Sequence, residues 1–214
     1  MVTSVNLVLV AVVLMNLLLY GSSRLSVTIR IAALQGLAIG AVALLRSLGE
    51  IDAYVIVLVG SSTVMKAIVL PTLLTRMARR AGVRRESDPP LGFVSSSLVG
   101  VVLFGLSVWL VGSLPFPGDV DGGRVASVSF FTVLTGLFLL VARNQLLTQA
   151  AGILFLENGV HMLGLSFAAS APFVVEVGVL LDVTVAIALM VAVLHHIRRE
   201  VSSLDVARLS ELKD

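Results

Sequence analysis

The amino-acid sequence predicts an all-α protein that is embedded in a membrane as a polytopic bundle of about seven transmembrane helices. Hydrophobic residues make up 57% of the 214 residues and charged residues 13%, whereas soluble domains carry about 25% charged residues. Mean hydropathy is +1.06, and the apolar residues lie in runs of about the 20 residues that cross a bilayer. We therefore expect a multi-pass protein of the plasma (inner) membrane, surrounded by lipid.

Seven apolar runs follow one another along the chain, separated by short polar segments. They cover residues 3–21, 26–45, 52–75, 92–112, 125–142, 146–167 and 172–195. No basic residue precedes the first run, as one would in a signal peptide, so we expect it to remain as a helix. Since it carries no internal charge, we expect that helix to pack at the periphery of the bundle.

The second and third spans contain the first residues that are unusual for a membrane. Gly36 and Gly40 form a small-xxx-small pair in the second span, which lets helices approach closely, and Arg30 near its start is expected to snorkel to the interface. In the third span, Lys66 lies deep and Pro71 removes the backbone donor for the carbonyl of Ala67. A lysine at this depth either snorkels toward the cytoplasm or pairs with a buried carboxylate.

The positions of the basic residues predict the topology. With seven spans, most arginines fall on one side of the membrane: Arg24, the cluster at 76–85, Arg143, Arg198 and Arg199. The opposite side has Arg46 and Arg124 in loops that also contain acidic residues. The positive-inside rule then places the N-terminus outside and the C-terminus in the cytoplasm. Because this distribution accounts for the arginines, the basic pI requires no nucleic acid partner.

Glu157 and Asp182 lie near the middle of the sixth and seventh spans, where a carboxylate costs about 2.5–3.5 kcal/mol on insertion scales. As antiparallel neighbours, the two spans would bring both carboxylates close to the midplane. His161 follows Glu157 by one helical turn on the same face, and histidine titrates near neutral pH. These residues, with Lys66, predict a buried path that handles protons. Glu176 is either an exit group for this path or an interfacial carboxylate.

The alternative is that Glu157, Asp182 and His161 form polar contacts between helices and fix their packing. Asn, Gln, Ser or Thr would do so at lower cost, because no charge would have to be desolvated. The chain has no cysteine, which excludes disulfides, thiolate-held iron–sulfur clusters and Cys-based zinc sites. We predict no catalytic residues, no metal site and no cofactor.

The sequence resembles a known family at these same positions. Residues in and around the sixth and seventh spans are similar to the small K subunit of respiratory complex I: Arg143, Asn144, Leu146, Leu147, Gly152, Glu157, Asn158, Asp182, Arg198 and Arg199. A closer resemblance, to hydrogenase-4 component E of formate-hydrogenlyase-type complexes, rests on LENG at 156–159, VEVGVLLD at 175–182 and SLDVARLSELKD at 203–214.

The resemblance implies a non-catalytic membrane subunit of a complex-I-like oxidoreductase such as a group 4 hydrogenase, next to antiporter-like subunits. The buried acidic positions of the family carry over to Glu157 and Asp182 and imply a part in proton translocation. The chain would then divide into a four-helix membrane part (1–120), a K-subunit-like three-helix part (121–200) and a cytoplasmic tail (201–214). Two other functions stay open: a stand-alone secondary transporter, indicated by Pro71 and Lys66, and a purely structural subunit.

Overall fold

The computed structural model describes residues 2–46, 53–80, 92–114 and 120–167, together with Thr184. Within these residues, every regular element is a helix. The helices are α1 (Val2–Tyr20), α2 (Leu25–Arg46), α3 (Ala53–Val64), a π-helical turn (Met65–Val69), α4 (Leu70–Arg80), α5 (Phe93–Ser113), α6 (Val120–Ala142) and α7 (Leu146–Phe167). The expected all-α architecture is therefore confirmed for the described part of the chain.

Four of the described helices are long and apolar enough to cross a membrane. They contain the segments Leu25–Leu45, Val94–Ser113, Gly122–Ala142 and Leu146–Phe167. The apolar part of α1, Ser4–Tyr20, is shorter, and the predicted span at 52–75 is interrupted by the π-helical turn. The predicted span at 172–195 lies outside the described residues. The described part of the chain is thus that of an α-helical membrane protein, with four clear candidate spans.

The π-helical turn joins α3 to α4 without a break in the helix. Its last hydrogen bond runs from the N–H of Leu70 to the carbonyl of Met65, five residues earlier. The next residue, Pro71, has no N–H and cannot close a regular turn onto Ala67. The widened turn directly before the proline accommodates this missing donor. Such turns are frequent at functional sites.

Helices α6 and α7 form the most extensive helix–helix contact among the described residues. The turn between them spans only 143–145, and glycines line the contact. A Cβ atom at Gly159 would lie 2.6 Å from the backbone N of Val133, and one at Gly136 would lie 2.7 Å from the carbonyl oxygen of Gly152. Any side chain there would force the helices apart, so glycine permits direct backbone contact.

Two apolar clusters fill the bundle, one toward each end. One contains Leu19, Leu25, Ile29, Leu70, Leu74, Leu139, Leu154 and Phe155 among its buried side chains. The other contains Val5, Leu9, Val12, Ile39, Val42, Val125, Val128, Met162 and Leu165. Along α1, α2, α6 and α7, the residues between the two clusters include buried polar side chains. These side chains are Asn16, Gln35, Thr132 and Glu157, and together with the buried Lys66 of the π-helical turn we call them the polar layer.

The expectation that the first helix is peripheral is wrong. Asn16 of α1 is fully buried and bonds to α2 and α6, because an amide in an apolar helix needs partners from other helices. Among the described candidate spans, α5 is the most exposed, since only 22% of its most apolar stretch is buried. Its outward side chains include Val101, Val102 and Trp109.

Candidate functional site

The polar layer contains a buried ion pair between the π-helical turn and α7. The Nζ atom of Lys66 contacts and donates to Oε1 of Glu157. The two side chains are 2% and 1% exposed, so the bundle shields both charged groups from its surroundings. Of the two alternatives for Lys66, snorkelling or pairing with a buried carboxylate, the structure shows pairing.

Glycines of α2 allow the π-helical turn to reach this position. A Cβ atom at Gly36 would lie 2.9 Å from Cβ of Lys66, 3.0 Å from its carbonyl carbon and 3.1 Å from the N of Ala67. One turn further along α2, a Cβ at Gly40 would lie 2.9 Å from Cγ2 of Thr63. The small-xxx-small pair therefore receives the helix that carries Lys66, and the backbone of the π-helical turn packs directly on Gly36.

The energetics of this pair differ from those of a surface ion pair. Desolvation of two charges costs several kcal/mol per ion, and their attraction in a medium of low dielectric offsets that cost only with good geometry and further hydrogen bonds. The pair is therefore weak evidence for stability. Removing either partner, in contrast, would leave a buried charge uncompensated.

A small cavity lies beside the ion pair. Its lining includes Lys66 and His161, with Ser62 and Thr63 of α3 and Gly36 of α2. About 20 Å³ is accessible to a water-sized sphere, and a single water needs about 10–15 Å³ by this measure. The cavity therefore has room for one water and has polar groups to bind it. His161 lies one turn after Glu157 on α7, as its spacing predicts.

A second set of polar contacts in the layer is neutral. Nε2 of Gln35 donates to Oδ1 of Asn16 at 2.7 Å, and Nδ2 of Asn16 donates to Oγ1 of Thr132 at 2.9 Å. All three side chains are fully buried, and we call them the amide ladder. The ladder connects α1, α2 and α6. Tyr20 adds a similar contact one turn away, where its hydroxyl donates to Thr135 at 3.1 Å.

The amide ladder and the turn that carries Lys66 contact neighbouring residues of α2. Gln35 precedes Gly36, the residue on which the π-helical turn packs. Asn158, which follows Glu157 in α7, donates from Nδ2 to the carbonyl oxygen of Ala32 at 3.5 Å, one turn before Gln35. Oε1 of Gln35 is buried and makes no hydrogen bond with the described residues.

The sequence-predicted site residues divide into two groups. Lys66, Glu157 and His161 come together around the ion pair and its cavity. Asp182 and Glu176 lie outside the described residues, so the predicted proximity of Glu157 and Asp182 is not tested. No group of three metal-ligating side chains occurs in the part of the chain that the structure describes.

Sequence reasoning missed two features of the site. It did not identify Glu157 as the partner of Lys66, which is 91 residues away, because no local pattern connects them. It also overlooked Asn16, although an amide within the apolar run VLVAVVLMNLLLY is itself a signal. A buried amide in a membrane helix must find a partner, usually on another helix.

Comparisons with known proteins extend over most of the chain. No protein-family model and no solved structure matches it. Hydrogenase-4 component E of Escherichia coli K12 is 27% identical over 153 residues, which is 72% of this chain and 71% of the relative; that of Shigella flexneri matches equally. These matches support the resemblance to hydrogenase-4 component E.

The uncharacterized protein Rv0085 of Mycobacterium tuberculosis is 31% identical over 207 residues, which is 94% of this chain and 92% of the relative. Identity at this level over nearly the whole length of both proteins establishes common descent. The chain, with four candidate spans and a buried polar layer in its described part, belongs to the same family as Rv0085.

Proposed function

We propose that the chain is a membrane subunit of a hydrogenase complex and that its polar layer takes part in proton translocation. The similarity to hydrogenase-4 component E supports the first part. The ion pair of Lys66 and Glu157 supports the second, since charged residues at membrane depth are costly and typically mark ion or proton paths. This buried pair, beside a cavity of water size, is the observation that carries the proposal.

The proposed chemistry is the transfer of a proton to the carboxylate of Glu157 and its later release. A proton delivered through the cavity, from His161 or from a water held there, neutralises the carboxylate of Glu157. The ammonium group of Lys66 then loses its counter-ion and moves toward another acceptor. Release of the proton from Glu157 restores the pair. No redox centre is needed in this chain, because a partner subunit of the complex would supply the electron transfer.

The wider arrangement follows from the same proposal. We propose seven spans in a plasma (inner) membrane, with the N-terminus outside and the C-terminus in the cytoplasm, as the arginines indicate. Residues 121–200 would form a part similar to the K subunit of complex I, and 1–120 the additional four-helix part. Asp182 and Glu176 would continue the proton path. Antiporter-like subunits would contact outward surfaces such as that of α5, which is largely apolar and unburied.

The substitution Glu157→Gln tests the proposal, because it keeps the shape of the side chain and removes its ionisation. Because the substitution leaves the ammonium group of Lys66 without its counter-ion, proton uptake into inverted membrane vesicles during turnover is compared at equal amounts of assembled complex. It should fall by roughly 100-fold or more, the scale of a positioned proton-transfer group. Asn158→Gln alters a neighbouring buried amide and serves as the control. Unchanged proton uptake in Glu157→Gln vesicles would contradict the proposed role.

The stand-alone secondary transporter remains a second candidate, because transport proteins often contain irregular helices near mid-membrane and the π-helical turn is a local irregularity of this kind. It predicts a chain that purifies without partners and catalyses uptake by itself. Mass spectrometry of the proteins retained after extraction in mild detergent separates it from the hydrogenase-subunit proposal.

A further inference from the structure

A second cavity, separate from the ion pair, lies between α2 and α4. Its accessible volume is about 290 Å³, and its lining includes Arg30 of α2 with Arg76 and Arg79 of α4. Thr72 and Thr75 contribute hydroxyl groups to the same wall. We propose that this cavity, which we call the arginine cavity, binds a phosphate-bearing anion, with the headgroup of an anionic phospholipid as its source.

The charge balance of the arginine cavity favours an anion. Three guanidinium groups line one space, and the ion pair found among the described residues, between Lys66 and Glu157, involves none of them. Charges of the same sign around one cavity repel one another. A phosphate group relieves that repulsion and accepts paired N–H bonds from the planar fork of an arginine.

The position of the arginine cavity favours a lipid as the carrier of the phosphate. Arg30 lies five residues after the start of α2, and Arg79 is the penultimate residue of α4. Helical rise puts Arg30 only about 7 Å from the helix end, which is the depth of the headgroup layer. The apolar part of the lining, with Ile29, Ala33 and Pro71, suits the glycerol and upper acyl carbons of a lipid.

Snorkelling alone does not account for this arrangement. It would explain one long cationic side chain reaching the interface, as the sequence predicts for Arg30. Here two arginines from another helix line the same open cavity as Arg30. Basic pockets between transmembrane helices on the cytoplasmic side are typical binding sites for phospholipid headgroups.

Lipid retention by the full-length chain tests the proposal. The chain is reconstituted in nanodiscs of phosphatidylcholine with increasing phosphatidylglycerol, and bound lipid is counted by native mass spectrometry after release. Retention of phosphatidylglycerol over phosphatidylcholine should fall by at least about tenfold in the triple variant Arg30→Gln, Arg76→Gln, Arg79→Gln, since several charge-assisted hydrogen bonds are lost. Arg24→Gln is the matched control, because Arg24 is exposed nearby but does not line the cavity.

Equal retention in the triple variant and the native chain, or an equal loss in Arg24→Gln, would overturn the proposal. If the triple variant does not fold, replacement of the same three arginines by lysine keeps the charges and loses the fork geometry. That variant should lose retention severalfold, and unchanged retention would contradict the site. Titration with inorganic phosphate forms the second arm: lipid should stay bound at millimolar phosphate, and its displacement would overturn the assignment of the site to a lipid.

Discussion

The polar layer contains two clusters, the amide ladder and the ion pair, which lie close to each other near residues 35–36 of α2 but differ in chemistry. The amide ladder holds α1, α2 and α6 together with neutral groups. The ion pair joins the π-helical turn to α7 with two full charges. Since the ladder shows that neutral side chains suffice to connect helices at this depth, connection alone does not explain the charges of Lys66 and Glu157. The difference favours a role for the pair in moving charge.

The largest expected effect is a loss of folding stability when one charge of the ion pair is removed, and it distinguishes the ion pair from the neutral amide ladder. Lys66→Met leaves the carboxylate of Glu157 buried without its counter-ion, and it should destabilise the protein by about 3–5 kcal/mol. Unfolding by denaturant in detergent micelles measures the loss. The double variant Lys66→Met, Glu157→Leu removes both charges and should recover most of it. A loss within about 1 kcal/mol in the single variant, typical of an exposed pair, would show that the charges are not buried together.

A smaller effect is expected where α2 receives the π-helical turn. Gly36→Ala places a methyl group 2.9 Å from Cβ of Lys66 and 3.0 Å from its carbonyl carbon, and such overpacking costs about 1–3 kcal/mol. The same unfolding measurement tests it. Gly60→Ala is the control, because a Cβ there meets nothing within 4 Å, and it should gain up to about 1 kcal/mol of helix stability. Equal effects at the two glycines would contradict the close approach at Gly36.

The smallest effect on function is expected in the amide ladder. Asn16→Leu removes two hydrogen bonds, each worth about 0.6–1.5 kcal/mol in membranes and in water, and should therefore cost about 1–3 kcal/mol. Proton uptake into vesicles should stay at the native level, in contrast to Glu157→Gln. If Asn16→Leu lowered proton uptake as much as Glu157→Gln does, the distinction between a neutral adhesive cluster and a charged functional one would be wrong.

The sequence predicts the helices well and their contacts poorly. Apolar runs locate the described helices to within a few residues at most ends, because the bilayer fixes the length of a span. The exceptions are α4, which ends five residues later than predicted, and α6, which begins five residues earlier. The pairing of Lys66 with Glu157 depends instead on how α2 packs against α7 and against the π-helical turn, and Gly36 permits the second of these contacts. The missing donor at Pro71 was foreseeable from the sequence, but the widened turn and the direction it gives Lys66 were not.

The backbone contact between α6 and α7 has a consequence for motion. At Gly136, Gly152 and Gly159 the backbones of the two helices are in direct contact, so we expect Glu157 to be carried by a stiff two-helix unit. Lys66, in contrast, is carried by the widened π-helical turn that directly precedes Pro71, a residue without a backbone N–H. When the pair opens, we expect the carboxylate to keep its place and the amine, together with the helix segment around it, to travel.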